Sequence, residues 1–203
     1  MSLEAPAFAG LWPWEPITPR EVADVLRGLP VPWWIAGGWA IELFLGHRTR
    51  RHYDMDVAVL RRDQLALRHH LAGWDLHSAS PERRLEPWDG RFLERPIARI
   101  WSRRERGAPW LFDGYLEEAR DELWVYRDDK RVSLPLGQLG RMTDDGVPFL
   151  SPEIVLFYML SRPTPKAKAD FLAAHPKLSA ESRGWLRRAL EIAHPGHLVL
   201  PLL

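Results

Sequence analysis

Asp54 and Asp56 stand two residues apart in the run YDMDVAVL, a spacing with an evident chemical use. Alternation from Tyr53 to Leu60 predicts a strand with Asp54, Asp56 and Ala58 on one face and Met55, Val57 and Val59 on the other. Two carboxylates side by side repel each other unless a cation lies between them. The pair is therefore costly as structure and suited to a hard metal ion. Magnesium fits best, because it takes few carboxylates and keeps positions for water and phosphate oxygens. An isolated Asp-x-Asp also occurs on solvated edge strands, so the pair needs support from elsewhere in the chain.

That support lies upstream. Trp33 to Ala36 form a short apolar run that stops at Gly37-Gly38, and Trp39 to Leu45 continue at helical spacing until Gly46 closes the helix. The glycine pair thus falls between a strand end and a helix start. Backbone without Cβ lets a bound group come close there, and the free N–H groups of a first helical turn favour an anion such as phosphate.

The stretch GGWAIELFLG, followed by Thr49-Arg50, His52 and DMD, resembles the nucleotidyltransferase superfamily. Within it, the small-molecule branch that includes aminoglycoside and lincosamide nucleotidyltransferases is the most similar. The resemblance implies an α/β fold with a mixed sheet and a smaller C-terminal helical domain. It also implies two magnesium ions, and ATP or another nucleoside triphosphate as substrate. The acceptor would be a small hydroxyl-bearing molecule such as an antibiotic, and pyrophosphate would be released. Asp54 and Asp56 match the metal pair. Gly37 and Gly38 match the phosphate turn, with Trp39 and Arg50 as further nucleotide contacts from the same stretch. A third carboxylate arrives on a neighbouring strand in such proteins, and Asp113 in WLFDGYLE is the matching position, with Glu117 as the alternative. Asp113 would share an ion, take the acceptor's proton, or both.

Composition narrows the rest. The 203 residues, 46% of them hydrophobic and 11 of them tryptophan, are enough for a catalytic domain and a small companion. A net charge of +1, from 28 basic and 27 acidic residues, supplies no global field for nucleic acid. Cysteine is absent, which excludes a thiolate metal site and a cysteine nucleophile. The longest clean apolar run, Ile154 to Leu160, is too short to span a bilayer, and no signal peptide is legible at the N-terminus, so a cytoplasmic protein is expected.

The elements follow from local signals. Leu11 to Pro16 is a Trp/Pro-rich lead-in, and Thr18-Pro19-Arg20-Glu21 is a capping box opening a helix that ends near Gly28. Arg61 to Ala72 predicts a helix on which His69 and His70 are surface or satisfied polar positions and not ligands, and Trp74 to Ala79 predicts a strand. Ser80 to Gly107 lacks clear periodicity and reads either as an extended active-site loop or as a short irregular strand region, and its arginines at 103, 104 and 106 are read as solvated. Glu122 to Arg127 and Arg131 to Pro135 pair as a hairpin, giving one sheet that begins parallel and gains antiparallel strands.

A boundary near Asp144-Asp145-Gly146 separates a catalytic domain, 1–146, from a helical domain, 147–203. Ser151-Pro152-Glu153 opens the first of its helices, with two more over Pro165 to Ala174 and Ser179 to Ala193. Lysines face the nucleotide phosphates from such helices in the resembled proteins. Met159 and Leu160 occupy the usual position here, which leaves Lys166, then Lys168, as the phosphate candidate. A cationic, polyhydroxylated acceptor would call for carboxylates beside aromatic rings, and Glu86, Asp89, Glu117, Glu118, Trp88 and Trp110 are the candidates. Rival readings are a protein or transfer RNA acceptor, or an inactive nucleotide-binding relative.

Overall fold

The structure, a computed structural model, describes residues 13–82 and 84–203; the first two residues of the Leu11 to Pro16 lead-in lie outside that range. Helix α1 (Pro19–Val25) opens on the expected capping box, in which the Thr18 N–H donates to Glu21 Oε2 at 2.8 Å and the Glu21 N–H to Thr18 Oγ1 at 3.3 Å. It is shorter than the sequence suggested, and the chain turns through Gly28 into β1 (Trp33–Ile35). Then come α2 (Gly37–Leu45), β2 (Asp56–Leu60), α3 (Gln64–His70), β3 (Asp75–Ala79), β4 (Leu85–Pro87), β5 (Arg99–Arg103) and β6 (Phe112–Glu117). After β7 (Ala119–Arg120), β8 (Leu123–Val125), β9 (Ser133–Pro135), β10 (Gly140–Met142) and β11 (Pro148–Leu150), the chain ends in α4 (Pro152–Ser161), α5 (Pro165–Ala174) and α6 (Ala180–Ala193).

The main sheet has the order β10-β11-β1-β2-β6-β5-β3-β4 and is mixed, as expected. Its start is not parallel. Strand β1 pairs antiparallel with β2 through Trp33 with Val59 and Ile35 with Val57, while the parallel pairs are β2 with β6 and β1 with β11. The reason is the excursion between them. Helix α2 carries the chain away from the end of β1, and residues 46–55 return it to that same end, where the Ala36 N–H donates to the Asp56 carbonyl at 2.8 Å. A chain delivered there can only run backwards.

Two further corrections concern the other strands. The 122–135 hairpin does not join the main sheet; β7, β8 and β9 make a separate three-stranded antiparallel sheet. Of the two readings of 80–107, the strand region is the one that forms, but β5 in it is a regular interior strand whose Arg99, Trp101 and Arg103 alternate with Ile100 and Ser102. Its arginines hid it, because their partners, Asp113 and Asp75, lie far away in sequence. Arg103 is consequently buried against Asp75 and the Trp110 ring, not solvated.

Strand β11 extends the main sheet past residue 146 before the helices begin. Helix α4 is apolar nearly all round and buries Ile154, Val155, Leu156 and Phe157 against α2, α5 and α6. It thereby ties the helices to the end of the sheet where β1 stops. Among the described residues no helix is long and apolar enough to cross a membrane.

Candidate active site

The site forms where β1 ends and β2 begins. Gly37, the first residue of α2, has φ +57°, and a Cβ built on it would lie 2.0 Å from Asp56 Oδ2, so only glycine can stand beside that carboxylate. Asp54 is not in the strand. β2 starts at Asp56, because the ladder to β1 begins only at Val57, and Asp54 sits at the end of the returning loop. The two carboxylates therefore reach the site from a loop end and a strand start.

The neighbouring strand supplies the third acid. Asp113 on β6 is the register partner of Asp56, and its N–H donates to the Met55 carbonyl at 2.8 Å. With period two, Asp113, Tyr115 and Glu117 share one face of β6. Asp113 is 1% exposed, and Arg99 from β5 covers it, donating from Nε to Oδ2 at 2.7 Å and also from Nη2. The same guanidinium lies over the Tyr115 ring, 5.2 Å from its centroid.

This crowding has an electrostatic signature. Burial, then the charges of Asp54 and Asp113, push the Asp56 carboxyl well above its ordinary range. Burial also raises Asp113, to about 6, although Arg99 works against the shift. Such groups would be relieved by a cation.

The returning loop is held by a buried acid. One oxygen of Glu42 accepts the N–H groups of Thr49 at 2.7 Å and Arg50 at 3.0 Å, and it lies 3.0 Å from His52 Nε2. Burial alone would raise Glu42, but these hydrogen bonds bring it down to about 2. Burial lowers His52, whose ring stacks on Trp39 with centroids 4.6 Å apart. Arg50 then reaches across to α5 and grips Asp170 with both Nε and Nη2.

A cavity of about 350 Å³ opens between the glycine turn, the aspartates and helices α4 and α5. Gly37, Gly38, Arg50, Asp54, Asp56 and Lys166 all line it. Asp113 lies behind Asp56 and does not. Trp39 is turned away into another groove with Arg48, and Lys168 is not among the lining residues. Of the acids considered for an acceptor, only Glu117 lines the cavity, where its Oε2 accepts from Trp124 Nε1 at 2.7 Å and the Tyr158 hydroxyl at 2.6 Å. Glu86 is exposed on β4, Asp89 pairs with Arg91 and Glu118 with Arg61, while Trp88 and Trp110 are buried core residues.

Sequence reasoning missed Arg99, Tyr115, Arg127, Tyr158, Arg162 and Asp170. Tyr115 was accessible in principle, two residues from Asp113 on a predicted strand. The others lie on elements whose approach is decided only by tertiary packing.

Among the described residues no group of three or more histidines, aspartates or glutamates is arranged to hold a metal ion. The Asp54 and Asp56 pair nevertheless fits magnesium. Two hard oxygen donors face an open cavity, which leaves coordination positions for water and phosphate. Asp113, engaged by Arg99, is set back from that pair.

A model of the aminoglycoside-2''-adenylyltransferase family matches residues 20–84, the segment from α1 to just before β4. Among solved structures, ANT(2'')-Ia in complex with adenylyl-2''-tobramycin is 19% identical, with a TM-score of 0.54 over 85% of this chain and 95% of that one. Its solution structure, described as an antibiotic-resistance factor, gives 20% identity and a TM-score of 0.56 over 85% of this chain and 89% of that one. The lincomycin-bound lincosamide antibiotic adenylyltransferase LnuA gives 16% and 0.53 over 79% of this chain and 98% of that one. No curated protein matches the sequence. The chain has the fold of these proteins, and the resemblance to the small-molecule nucleotidyltransferases is borne out.

Proposed function

We propose that this chain is a magnesium-dependent nucleotidyltransferase that moves AMP from ATP onto a hydroxyl of a small molecule and releases pyrophosphate. The observation that carries the reading is convergence: Asp54, Asp56, the Gly37-Gly38 turn, Arg50 and Lys166 meet on one cavity although they come from the sheet, a loop and a helix. The acceptor class is taken from the aminoglycoside and lincosamide adenylyltransferases that the chain resembles. A cytoplasmic site of action belongs to the same proposal.

In this reading Asp54 and Asp56 would hold the magnesium, which would supply neutralisation of the phosphate charge. Gly38, having no Cβ, lets the Arg50 guanidinium lie against the start of α2, and Arg50 and Lys166 offer a phosphate cationic donors from the cavity wall. The acceptor oxygen bonds to the α-phosphorus as the bond to the bridging oxygen breaks, and pyrophosphate leaves with that electron pair. Asp113, held near 6 and ionised at neutral pH, would take the hydroxyl proton or help hold a second ion only once the Arg99 cover moves aside, because it lies behind Asp56 and does not line the cavity. The acceptor would enter past Glu117 and Tyr158.

The test is direct. Incubation with ATP, magnesium and a panel of aminoglycosides and lincosamides should yield one product heavier by an adenylyl group, with one pyrophosphate released per product. If none of them is modified, while a protein or RNA becomes labelled from radioactive ATP, the small-molecule reading is wrong.

A further inference from the structure

Asp170 was not expected at the site, yet it is 2% exposed and lines the cavity from α5. Its two oxygens take Arg50 Nε at 3.1 Å and Arg50 Nη2 at 3.0 Å, a fork-to-fork pair between a helix and the loop that carries Asp54. On the far side of the guanidinium, Arg50 Nη1 lies 3.2 Å from His52 Nδ1. Nε2 on the other side of the same ring lies 3.0 Å from Glu42 Oε1. Glu42, His52, Arg50 and Asp170 thus form one chain of contacts running from α2 to α5.

The consequence concerns where Arg50 points. Nη1 is engaged by His52, and Nη2 gives one of its two N–H groups to Asp170. A Cβ on Gly38 would lie 2.0 Å from Nη2, so the guanidinium rests directly on the bare backbone of the glycine turn. We propose that Asp170 is a positioning residue for nucleotide binding: it clamps Arg50 against Gly38 so that the remaining N–H of Nη2 is presented to a phosphate of the nucleoside triphosphate. This rests on the nucleotidyltransferase reading above. Without the clamp, a long side chain with several rotatable bonds would have to be ordered by the ligand itself, at the expense of affinity. A helix residue thereby decides how well a loop residue on the opposite wall binds phosphate.

A plain staple between α5 and the loop would show the same distances, so the test must separate the two. Calorimetry measures ATP, ADP and AMP binding to the full chain in magnesium, alongside thermal unfolding. Asp170→Asn is expected to weaken ATP about tenfold, the equivalent of one charge-assisted hydrogen bond, with smaller losses for ADP and AMP. Arg50→Lys keeps the charge but not the fork, and should lose ATP affinity to a similar extent even if Asp170→Asn proves unstable. The exchanged pair, Arg50→Asp with Asp170→Arg, should recover thermal stability but not ATP affinity, because the cation then stands on the wrong wall. Recovery of ATP affinity in the exchanged pair, or wild-type affinity in Asp170→Asn, reduces the pair to a staple and overturns the proposal. Failure of the wild-type chain to bind any nucleotide would instead sink the functional reading, and this inference with it.

Discussion

Asp56 and Asp113 are register partners across the parallel β2 and β6 pair, but only Asp56 reaches the cavity, because Arg99 lies over Asp113. Two acids that look equivalent in a motif therefore have different surroundings. Asp56 pays in stability for its position, since burial and two neighbouring carboxylates raise it well above its usual range. A raised acid contributes stability below its unfolded value and loses it as pH climbs through the folded one. Asp56→Asn should therefore abolish magnesium-dependent turnover while raising the melting temperature at neutral pH by roughly 2–4 °C, the response to about 1 kcal/mol in a chain of this size. The gain should shrink at pH 4 and when magnesium is added to the wild type. Turnover in the variant, measured as pyrophosphate release, would refute the metal assignment.

Arg99 gives the complementary prediction. Removing one member of a buried ion pair leaves the other charge uncompensated, at about 3 kcal/mol where the lost partner is partly exposed. Arg99→Met should be destabilised by that order at pH 7.5 and by less at pH 5, where Asp113 takes up a proton. Asp113 would then titrate above its present value of about 6. If it accepts the acceptor's proton, the acid limb of the pH–rate profile moves to higher pH in the variant. An unmoved limb would show that Asp113 serves the metal and not the proton.

These two residues also show what the sequence could and could not reveal. The glycine turn, Asp54 and Asp56 were legible because they lie within twenty residues and their spacing is local. Asp113 was found through its strand-like setting and the family resemblance. Arg99 was not, since a charged residue in an irregular, arginine-rich stretch reads as solvated until the strand beside it is known. The direction of β2 was missed for a similar reason. Alternation predicts a strand, but only the length and return path of the α2 excursion decide which way it runs. Trp39 sits within the matching motif and still turns away, because its ring covers His52 and the Arg48 guanidinium lies 4.8 Å above it.

Gly37 and Gly38 should respond differently to added side chains. At Gly38 a Cβ meets the Arg50 guanidinium at 2.0 Å and His52 Cε1 at 2.6 Å, so Gly38→Val must push Arg50 off the turn. Arginine can swing, so the fold should survive with a cost of about 1–2 kcal/mol, while ATP affinity falls by about tenfold or more. At Gly37 the Cβ meets Asp56 itself, on a backbone that disfavours side chains, so Gly37→Ala should lower turnover more than affinity. Calorimetry and steady-state rates on the two variants separate the effects. Unchanged ATP affinity in a folded Gly38→Val protein would make the turn structural only.

The last prediction concerns the acceptor. Arg127, Arg162 and Lys166 line the cavity, and among the described residues none of the three has a carboxylate within ion-pair distance. Asp54 and Asp56 are assigned to magnesium, and Asp170 is occupied by Arg50. Glu117 is then the one remaining acid on the cavity wall, held in place by Trp124 and Tyr158 through Oε2. A pocket with three open cations and one acid suits a triphosphate together with an acceptor bearing a single amino group. It disfavours a polyamine, whose further charges would face those cations at close range. Glu117→Gln keeps an oxygen for Trp124 and Tyr158 but removes the charge. It should cut kcat/KM for amine-bearing acceptors by roughly 10- to 100-fold, the equivalent of about 1.5–3 kcal/mol for a hydrogen bond to a charged group, and leave ATP affinity near wild type. Acceptors with one amino group should also outperform those with several on the wild-type enzyme, and high salt should narrow the gap by screening. A strong preference for the most highly charged aminoglycosides, unaffected by Glu117→Gln, would place the acceptor on a surface outside this cavity.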